Sequence, residues 1–147
     1  MVTMSEKGKP NVMALDWKKL FEFEGKPVIR AQVAYSRYTY TLLTEGVKEF
    51  TINIPYTSLT ERVKDNYSNI NISHAISIAG TNSGRDTDKI QKANLKTIPG
   101  KEVKVPTLDD CALCYECKIV HDERSNLSSH HYFYGEIVAA YVSNGIA

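Results

Sequence analysis

The chain has 147 residues, 42% of them hydrophobic and 24% charged, which is enough to bury the core of one domain and too little for two independent ones. Lysine and arginine total 18 against 17 aspartates and glutamates, so no global field draws in nucleic acid or an anionic membrane, and any recognition of an anion has to be local. No apolar run approaches the roughly 20 residues that span a bilayer, and the start, Met1-Val2-Thr3-Met4-Ser5-Glu6-Lys7, has no long apolar stretch behind a basic one. These features predict a single cytoplasmic domain over residues 1–147 with neither a nucleic-acid nor a membrane partner. In that compartment the sequons at Asn66, Asn71 and Asn126 carry no glycan, and Cys111, Cys114 and Cys117 are reduced thiols.

Alternation of apolar and polar residues marks the strands, because successive side chains point to opposite faces. After the turn Lys7-Gly8-Lys9-Pro10, a first strand is expected over residues 11–17. Past the turn Gly25-Lys26-Pro27, residues 28–35 put Ile29, Ala31, Val33 and Tyr35 on one face and Arg30 and Gln32 on the other. Thr39 is placed to cap a helix over residues 40–45, with Gly46 to stop it in the left-handed conformation. Residues 50–56 alternate again, Phe50, Ile52 and Ile54 opposite Thr51 and Asn53. Ser58 followed by Glu61 forms a capping box for a helix reaching about residue 64. The Asn- and Ser-rich residues 65–83 read as a long surface loop, and a third helix starts near Asp86 and includes Asp88, Lys89 and Ile90. Strands over residues 113–121 and 132–142 complete the set, the second carrying Gly135, the mark of a bulge or of a close backbone approach. Short strands broken by helices of one to three turns, with no regular strand-helix-strand alternation, predict a mainly β fold, an antiparallel barrel with short peripheral helices.

Two segments suit an anion. Ser36-Arg37-Tyr38-Thr39-Tyr40 lies between a strand end and a helix start, where hydroxyls, unpaired helix N–H groups and a guanidinium converge. In Gly80-Thr81-Asn82-Ser83-Gly84-Arg85-Asp86-Thr87-Asp88-Lys89, two glycines let the backbone approach a ligand, Ser83 and Arg85 offer donors, and Lys89 falls about one turn into the next helix. Taken singly, the first is equally a capped helix with a solvated arginine, and the second equally a plain Asn-Ser-Gly turn before a charged helix.

Five segments in register resemble the flavin reductase-like, flavoredoxin-type FMN-binding split-barrel family. They are Asn11-Val12-Met13-Ala14-Leu15-Asp16-Trp17, the Ser-Arg-x-Thr of residues 36–39, Glu49-Phe50-Thr51-Ile52-Asn53-Ile54-Pro55, the residues 80–89 quoted above, and His130-His131-Tyr132-Phe133-Tyr134-Gly135-Glu136-Ile137-Val138. The resemblance implies an antiparallel split β-barrel that holds FMN, with FAD a lesser alternative, and NAD(P)H as co-substrate. It places Ala14, Leu15, Asp16 and Trp17 along the isoalloxazine edge, Ser36, Arg37 and Thr39 at the phosphate and ribityl chain, and Asn53 on the neighbouring strand. Ser83, Gly84, Arg85 and Lys89 become the second half of the clamp, and His130 stands beside a nicotinamide as the catalytic candidate. It also implies a homodimer, a redox partner protein, and a chain that is short at both ends for the family.

Three functions follow for comparison. The leading one is an NAD(P)H-dependent flavin reductase-like oxidoreductase, in which the cofactor carries the chemistry and the protein positions it. The others are an FMN-binding electron-transfer protein without nicotinamide activity and a cofactor-free barrel serving as an interaction module. Cys111, Cys114 and Cys117 form C-x2-C-x2-C, but a fourth cysteine is lacking and Cys114 and Cys117 fall on opposite faces of a strand, so ordinary thiols are expected instead of a cluster. His130 and His131 likewise face opposite ways, which argues against zinc shared with His121. The run Tyr132, Phe133, Tyr134 reads as core and interface, since no basic groove accompanies it.

Overall fold

The computed structural model describes residues 1–55, 72–109 and 111–142. In chain order the described elements are β1 (Val2–Met4), β2 (Pro10–Val12), β3 (Lys18–Phe23), β4 (Lys26–Ala34), α1 (Tyr38–Glu45), β5 (Glu49–Pro55), α2 (Ile72–Thr81), α3 (Lys89–Lys92), β6 (Thr97–Ile98), β7 (Thr107–Leu108), β8 (Cys111–Arg124) and β9 (His130–Val142). Seven strands form one sheet in the order β2-β1-β5-β8-β9-β4-β3, and β6 pairs with β7. Every pairing is antiparallel. The backbone of the sheet is the long hairpin β8–β9, registered from Leu113 opposite Val142 to Arg124 opposite His131. The far side of β9 carries β4, from Val28 opposite Glu136 to Ala34 opposite His130. The expected mainly β, antiparallel architecture with few helices is the one observed.

Both faces of the middle of this sheet are covered. One face packs Ile29, Ala31, Val33, Leu43, Phe50, Ile52, Cys117 and Phe133, and the other packs Val2, Val12, Ala79, Val103, Val105, Leu108, Cys111 and Cys114. In β5 the alternation therefore sends Phe50 and Ile52 into one core while Thr51 and Asn53 are buried on the opposite side. Buried polar groups need partners, and residues 100–108 provide them. Thr51 Oγ1 donates to the Pro106 carbonyl at 2.8 Å, Asn53 Nδ2 donates to Thr51 Oγ1 at 2.9 Å, and the Leu108 N–H donates to Asn53 Oδ1 at 2.9 Å. The fully buried Glu116 carboxylate accepts from the Lys101 and Glu102 N–H groups, both at 2.7 Å, and Glu49 accepts from the Lys104 N–H at 2.7 Å. Carboxylate-to-amide bonds of this kind pin an irregular segment as firmly as a ladder would.

Several expectations are corrected. The strand expected over residues 11–17 ends at Val12, because after the Met13 N–H has bonded the Met1 carbonyl at 2.9 Å the chain leaves the ladder. Residues 14–17 instead run outside the ladder to a tight turn closed by the Lys18 N–H on the Asp16 carbonyl at 3.1 Å, and the Trp17 carbonyl accepts from the Gln32 N–H at 2.9 Å. Strand β3 and the three-residue β1 carry no burial alternation legible in sequence; β3 is an edge strand whose residues are almost all exposed. The later part of the expected 65–83 loop is helix α2, which buries Ala75, Ile78 and Ala79. The helix expected near residues 58–64 lies outside the described residues. Thr39 does not cap α1: Arg37 holds the cap position without a side-chain bond, and Thr39 is buried and accepts from Asn11 Nδ2 at 3.3 Å. Nor is Gly46 left-handed, with φ −99°; its N–H returns to the Leu42 carbonyl and the next N–H, of Val47, reaches the Met4 carbonyl, which turns the chain onto β1. The third helix is confined to α3, with Asp88 as its cap.

Gly135 is where the sheet closes most tightly. A side chain there would place its Cβ 2.7 Å from Phe50 Cε1 and 2.8 Å from Cys117 Cβ, and β8 is irregular in register just opposite, between Glu116 and Cys117 and between Ile119 and His121. The close-approach expectation therefore holds. Because Cys117 Cβ is fixed to the backbone and cannot rotate away, Gly135→Ala is expected to destabilise the fold by about 1–3 kcal/mol through overpacking, measured by urea unfolding. A change within experimental error would show that the β8 irregularity absorbs the methyl group.

Candidate functional site

Two adjoining cavities open where β1, β2 and β5 meet α1 and α2. The first, of about 240 Å³, is mainly apolar: Ala14, Leu15 and Asp16 from the 13–17 segment line it with Ile52, Asn53, Ile54 and Pro55 at the end of β5, and Ala75, Ile76 and Ala79 of α2 and Leu108 and Cys111 complete the wall. Lys18 Nζ donates to the Leu15 carbonyl at 3.2 Å and steadies the segment. Asn53 is present but engaged, since its Oδ1 and Nδ2 already hold Leu108 and Thr51; its first duty is structural.

The second cavity, of about 190 Å³, is polar and shares Met13 and Ala79 with the first. Ser36, Arg37, Tyr38 and Thr39 line one side, Thr81, Asn82, Ser83 and Gly84 the other, and Lys89 closes it. Both anion-suited segments of the sequence thus meet in one place. The strand β4 ends at Ala34, and the Arg37 N–H turns back to the Ala34 carbonyl at 3.0 Å, which sets the start of α1 at the cavity mouth. Gly84 lies so close to β2 and α1 that a Cβ would fall 2.8 Å from both Asn11 Cγ and Tyr38 Cδ1. The cations stitch the loops together. Arg85 donates to the Ser36 carbonyl at 3.4 Å and to Thr41 Oγ1 at 3.1 Å and lies over the Tyr38 ring, while Arg37 reaches the Gly80 carbonyl at 3.5 Å. Lys89 is only 5% exposed, and its ammonium donates to the Ala79 carbonyl at 3.0 Å. Burial, reinforced by the nearby Arg37 charge, pulls its pKa down to about 8.

The other expected site residues are placed elsewhere. Trp17, 55% exposed, stacks on His130 with ring centroids 4.6 Å apart, and neither residue lines either cavity. His131 faces the opposite way, as the strand geometry requires, among Tyr35, Tyr40 and Phe133, with Nε2 2.6 Å from Asp122 Oδ1. Cys114 and Cys117 also diverge into the two separate cores. Burial is the main cause that raises the Cys114 thiol to about 11 and the Cys117 thiol to about 12. Among the lining residues, Ala75, Ala79 and Leu108 were not singled out by sequence. The signal for the α2 pair was the spacing of Ile72, Ala75, Ile76 and Ala79, which follows one helical face.

With this geometry in hand, comparison with known proteins is decisive about kinship. The flavin reductase like domain model matches residues 1–147. An uncharacterized protein of Archaeoglobus fulgidus is 32% identical over 139 residues, covering 95% of this chain and 68% of that protein. The flavoredoxin of Desulfovibrio vulgaris (Miyazaki F) superposes with a TM-score of 0.76 at 27% identity, over 97% of this chain and 67% of its own. A Shewanella frigidimarina protein with a split barrel domain superposes with a TM-score of 0.76 at 17% identity, over 97% and 65% of the two chains. The chain belongs to the flavin reductase-like domain family, and its fold is the split barrel. It spans about two thirds of the length of these relatives.

Two outcomes follow from the electrostatics. Lys89 is held near 8 against an ordinary 10.5, so between those values the unfolded chain binds more protons than the folded one, and the stability of the ligand-free protein gains from this group as pH rises through that window. Lys89→Met is accordingly expected to melt above the parent at pH 7, with the gap closing toward pH 10; a parent that melts higher at pH 7 would contradict the burial argument. The raised thiols predict that Cys114 and Cys117 of the native protein stay unmodified by a disulfide reagent at pH 8 and react on unfolding in urea. Rapid labelling of either in the native state would place it in a different environment.

Proposed function

We propose that this chain is a flavin-dependent oxidoreductase that binds FMN across the two cavities and accepts electrons from NAD(P)H. The observation that carries the reading is the join at Met13 and Ala79 between an apolar cavity and a polar one closed by a buried cation. A ligand suited to both parts is a planar aromatic ring that ends in an anionic group, and FMN has that form. The chemistry of the donor set fits: Ser36, Thr39 and Ser83 offer hydroxyls, Arg37 and Lys89 offer charge, and the start of α1 adds partial positive charge. No Gly-rich dinucleotide fingerprint accompanies it in the sequence, which favours FMN over FAD. Similarity to a flavoredoxin at 27% identity supports a flavin as the ligand.

In this reading Ala14, Leu15 and Asp16 with Ile54 and Pro55 would line the ring and exclude water from it, while the residues at 36–39 and 83–89 would hold the phosphate. Arg85 acts through the loops, because its guanidinium is committed to Ser36 and Thr41. When bound, the flavin supplies the two-electron chemistry, with a reduced nicotinamide as hydride donor. The protein's part is orientation. A homodimer completes the proposal: Phe23 and Val120 stand exposed along one groove, Phe23 at 59%, where a second copy would cover them.

A second reading, FMN-dependent electron transfer without nicotinamide activity, is favoured by one observation. His130, the residue expected at the nicotinamide, is taken up by Trp17 and lines neither cavity.

Arg85→Ala combined with Lys89→Ala is expected to weaken FMN by at least tenfold and riboflavin by less than twofold, as measured by flavin fluorescence titration. Equal losses for both would remove the phosphate from this cavity. Anaerobic addition of NADH or NADPH should then bleach the visible bands of the bound flavin. Bands that persist with both nucleotides would sink the reductase reading and leave the electron-transfer one.

A further inference from the structure

We propose that Lys89 ties anion capture in the polar cavity to uptake of a proton, so that the site holds a terminal phosphomonoester most tightly in a pH window around neutrality. The inference rests on the flavin reading for the identity of the ligand, but the coupling itself is a property of the cavity.

The ammonium of Lys89 has three protons to donate. The bond it makes is to the Ala79 carbonyl at 3.0 Å, and among the described residues it forms no ion pair. The charged groups around it do not neutralise it. From the turn before α1 comes Arg37, which is like-charged and turned to the Gly80 carbonyl. Ahead of β1 comes the amino group of Met1, which burial holds down to about 5, so that around neutrality it is uncharged and offers no counter-charge. The loop before α3 contributes Arg85, committed to Ser36 and Thr41, and the exposed Asp86. On its own helix, Asp88 accepts from the Gln91 N–H at 3.1 Å and Lys92 donates to Asn82 Oδ1 at 3.2 Å. Strand β2, which packs against α3, brings Pro10, Asn11 and Val12 and hence no titratable group. The cavity is therefore a positive site whose counter-charge is missing, and a buried charge without a partner is costly to hold.

A phosphate dianion provides that counter-charge. In the ligand-free protein, burial first and Arg37 second keep Lys89 near 8. Binding an anion against it favours the ammonium, so above pH 8 capture requires a proton from solvent, and affinity falls with a slope that approaches about tenfold per pH unit. On the acid side a phosphomonoester becomes a monoanion below its second pKa of about 6. Affinity for FMN is thus limited at both ends, whereas the pyrophosphate of FAD, esterified at both ends and without an ionisation at about 6, lacks the acid limb, and riboflavin, without phosphate, lacks both.

The test titrates the full chain from pH 5 to 9 with FMN, FAD and riboflavin, and follows inorganic phosphate by calorimetry in two buffers of different ionisation enthalpy. Expected are an FMN dissociation constant that rises about fivefold from pH 8 to 9 and rises again below pH 6, an FAD constant that rises only on the alkaline side, and a riboflavin constant flat throughout. Lys89→Met should weaken FMN at pH 7 and abolish the alkaline limb without altering riboflavin; Lys89→Gln serves as a second variant if the first does not fold. Inorganic phosphate should draw in a proton at pH 8.5 with the parent and not with the variant. An FMN curve flat from pH 8 to 9, or an alkaline limb that survives in Lys89→Met, would overturn the coupling. Phosphate capture with proton uptake in a protein that binds neither FMN nor riboflavin would retain the coupling and end the flavin reading; flavin binding with no limb dependent on Lys89 would do the reverse.

Discussion

Strand β5 is buried on both faces, and most of the molecule is arranged to permit that. Its outward residues Thr51 and Asn53 are polar, and leaving either unpaired in the interior would cost about 1–3 kcal/mol. The segment at residues 100–108 meets this demand through Thr51, Asn53, Glu49 and Glu116, and in doing so it lays Val103, Val105 and Leu108 over the second core. The end of β5 is thereby held rigid where Ile52, Asn53, Ile54 and Pro55 form a wall of the apolar slot. A site set on a strand fixed from both sides keeps its geometry without help from a ligand.

The polar cavity is built by a different rule. Its loops are joined by cations that donate to carbonyls of other segments, Arg85 to Ser36, Arg37 to Gly80 and Lys89 to Ala79. Positive charge is concentrated there with carboxylates kept aside, although the chain as a whole is nearly neutral, with a formal charge of +1. Such an arrangement destabilises the ligand-free fold locally and is ready to receive an anion without rearrangement, a trade of stability for function seen at binding sites generally.

How much of this could be read from sequence depended on burial. Strand β4 from Ile29 and strand β9 as far as Gly135 bury one face in alternation, so the strands themselves and the opposite orientations of His130 and His131 were legible, although each begins two residues before its expected start. Strand β3, Lys-Lys-Leu-Phe-Glu-Phe, exposes Leu20 and Phe23 at the sheet edge and gives no such signal. Helix α2 was hidden by composition: Ser73, Ser77, Gly80 and the β-branched Ile72, Ile76 and Ile78 lower helix propensity, and tertiary burial of Ala75, Ile78 and Ala79 overrides it. The convergence of residues 36–39 with 83–89 was implied by resemblance alone, because only the packing of α1 against β1 and of α3 against the neighbouring β2 brings them together. Trp17 and His130 belong to familiar segments, yet their side chains meet each other on the outer face, a matter of strand twist and side-chain direction that spacing does not encode.

The most direct test of the account is a crystal structure of the chain grown with FMN. The account predicts the isoalloxazine ring between residues 14–16 and residues 52–55, and a phosphate oxygen at about 2.7–2.9 Å from Lys89 Nζ, the range of a charge-assisted bond. A ring seated instead on the outer groove lined by Phe21, Phe23 and Tyr134, or a phosphate turned to solvent with Lys89 still bonded only to Ala79, would contradict it.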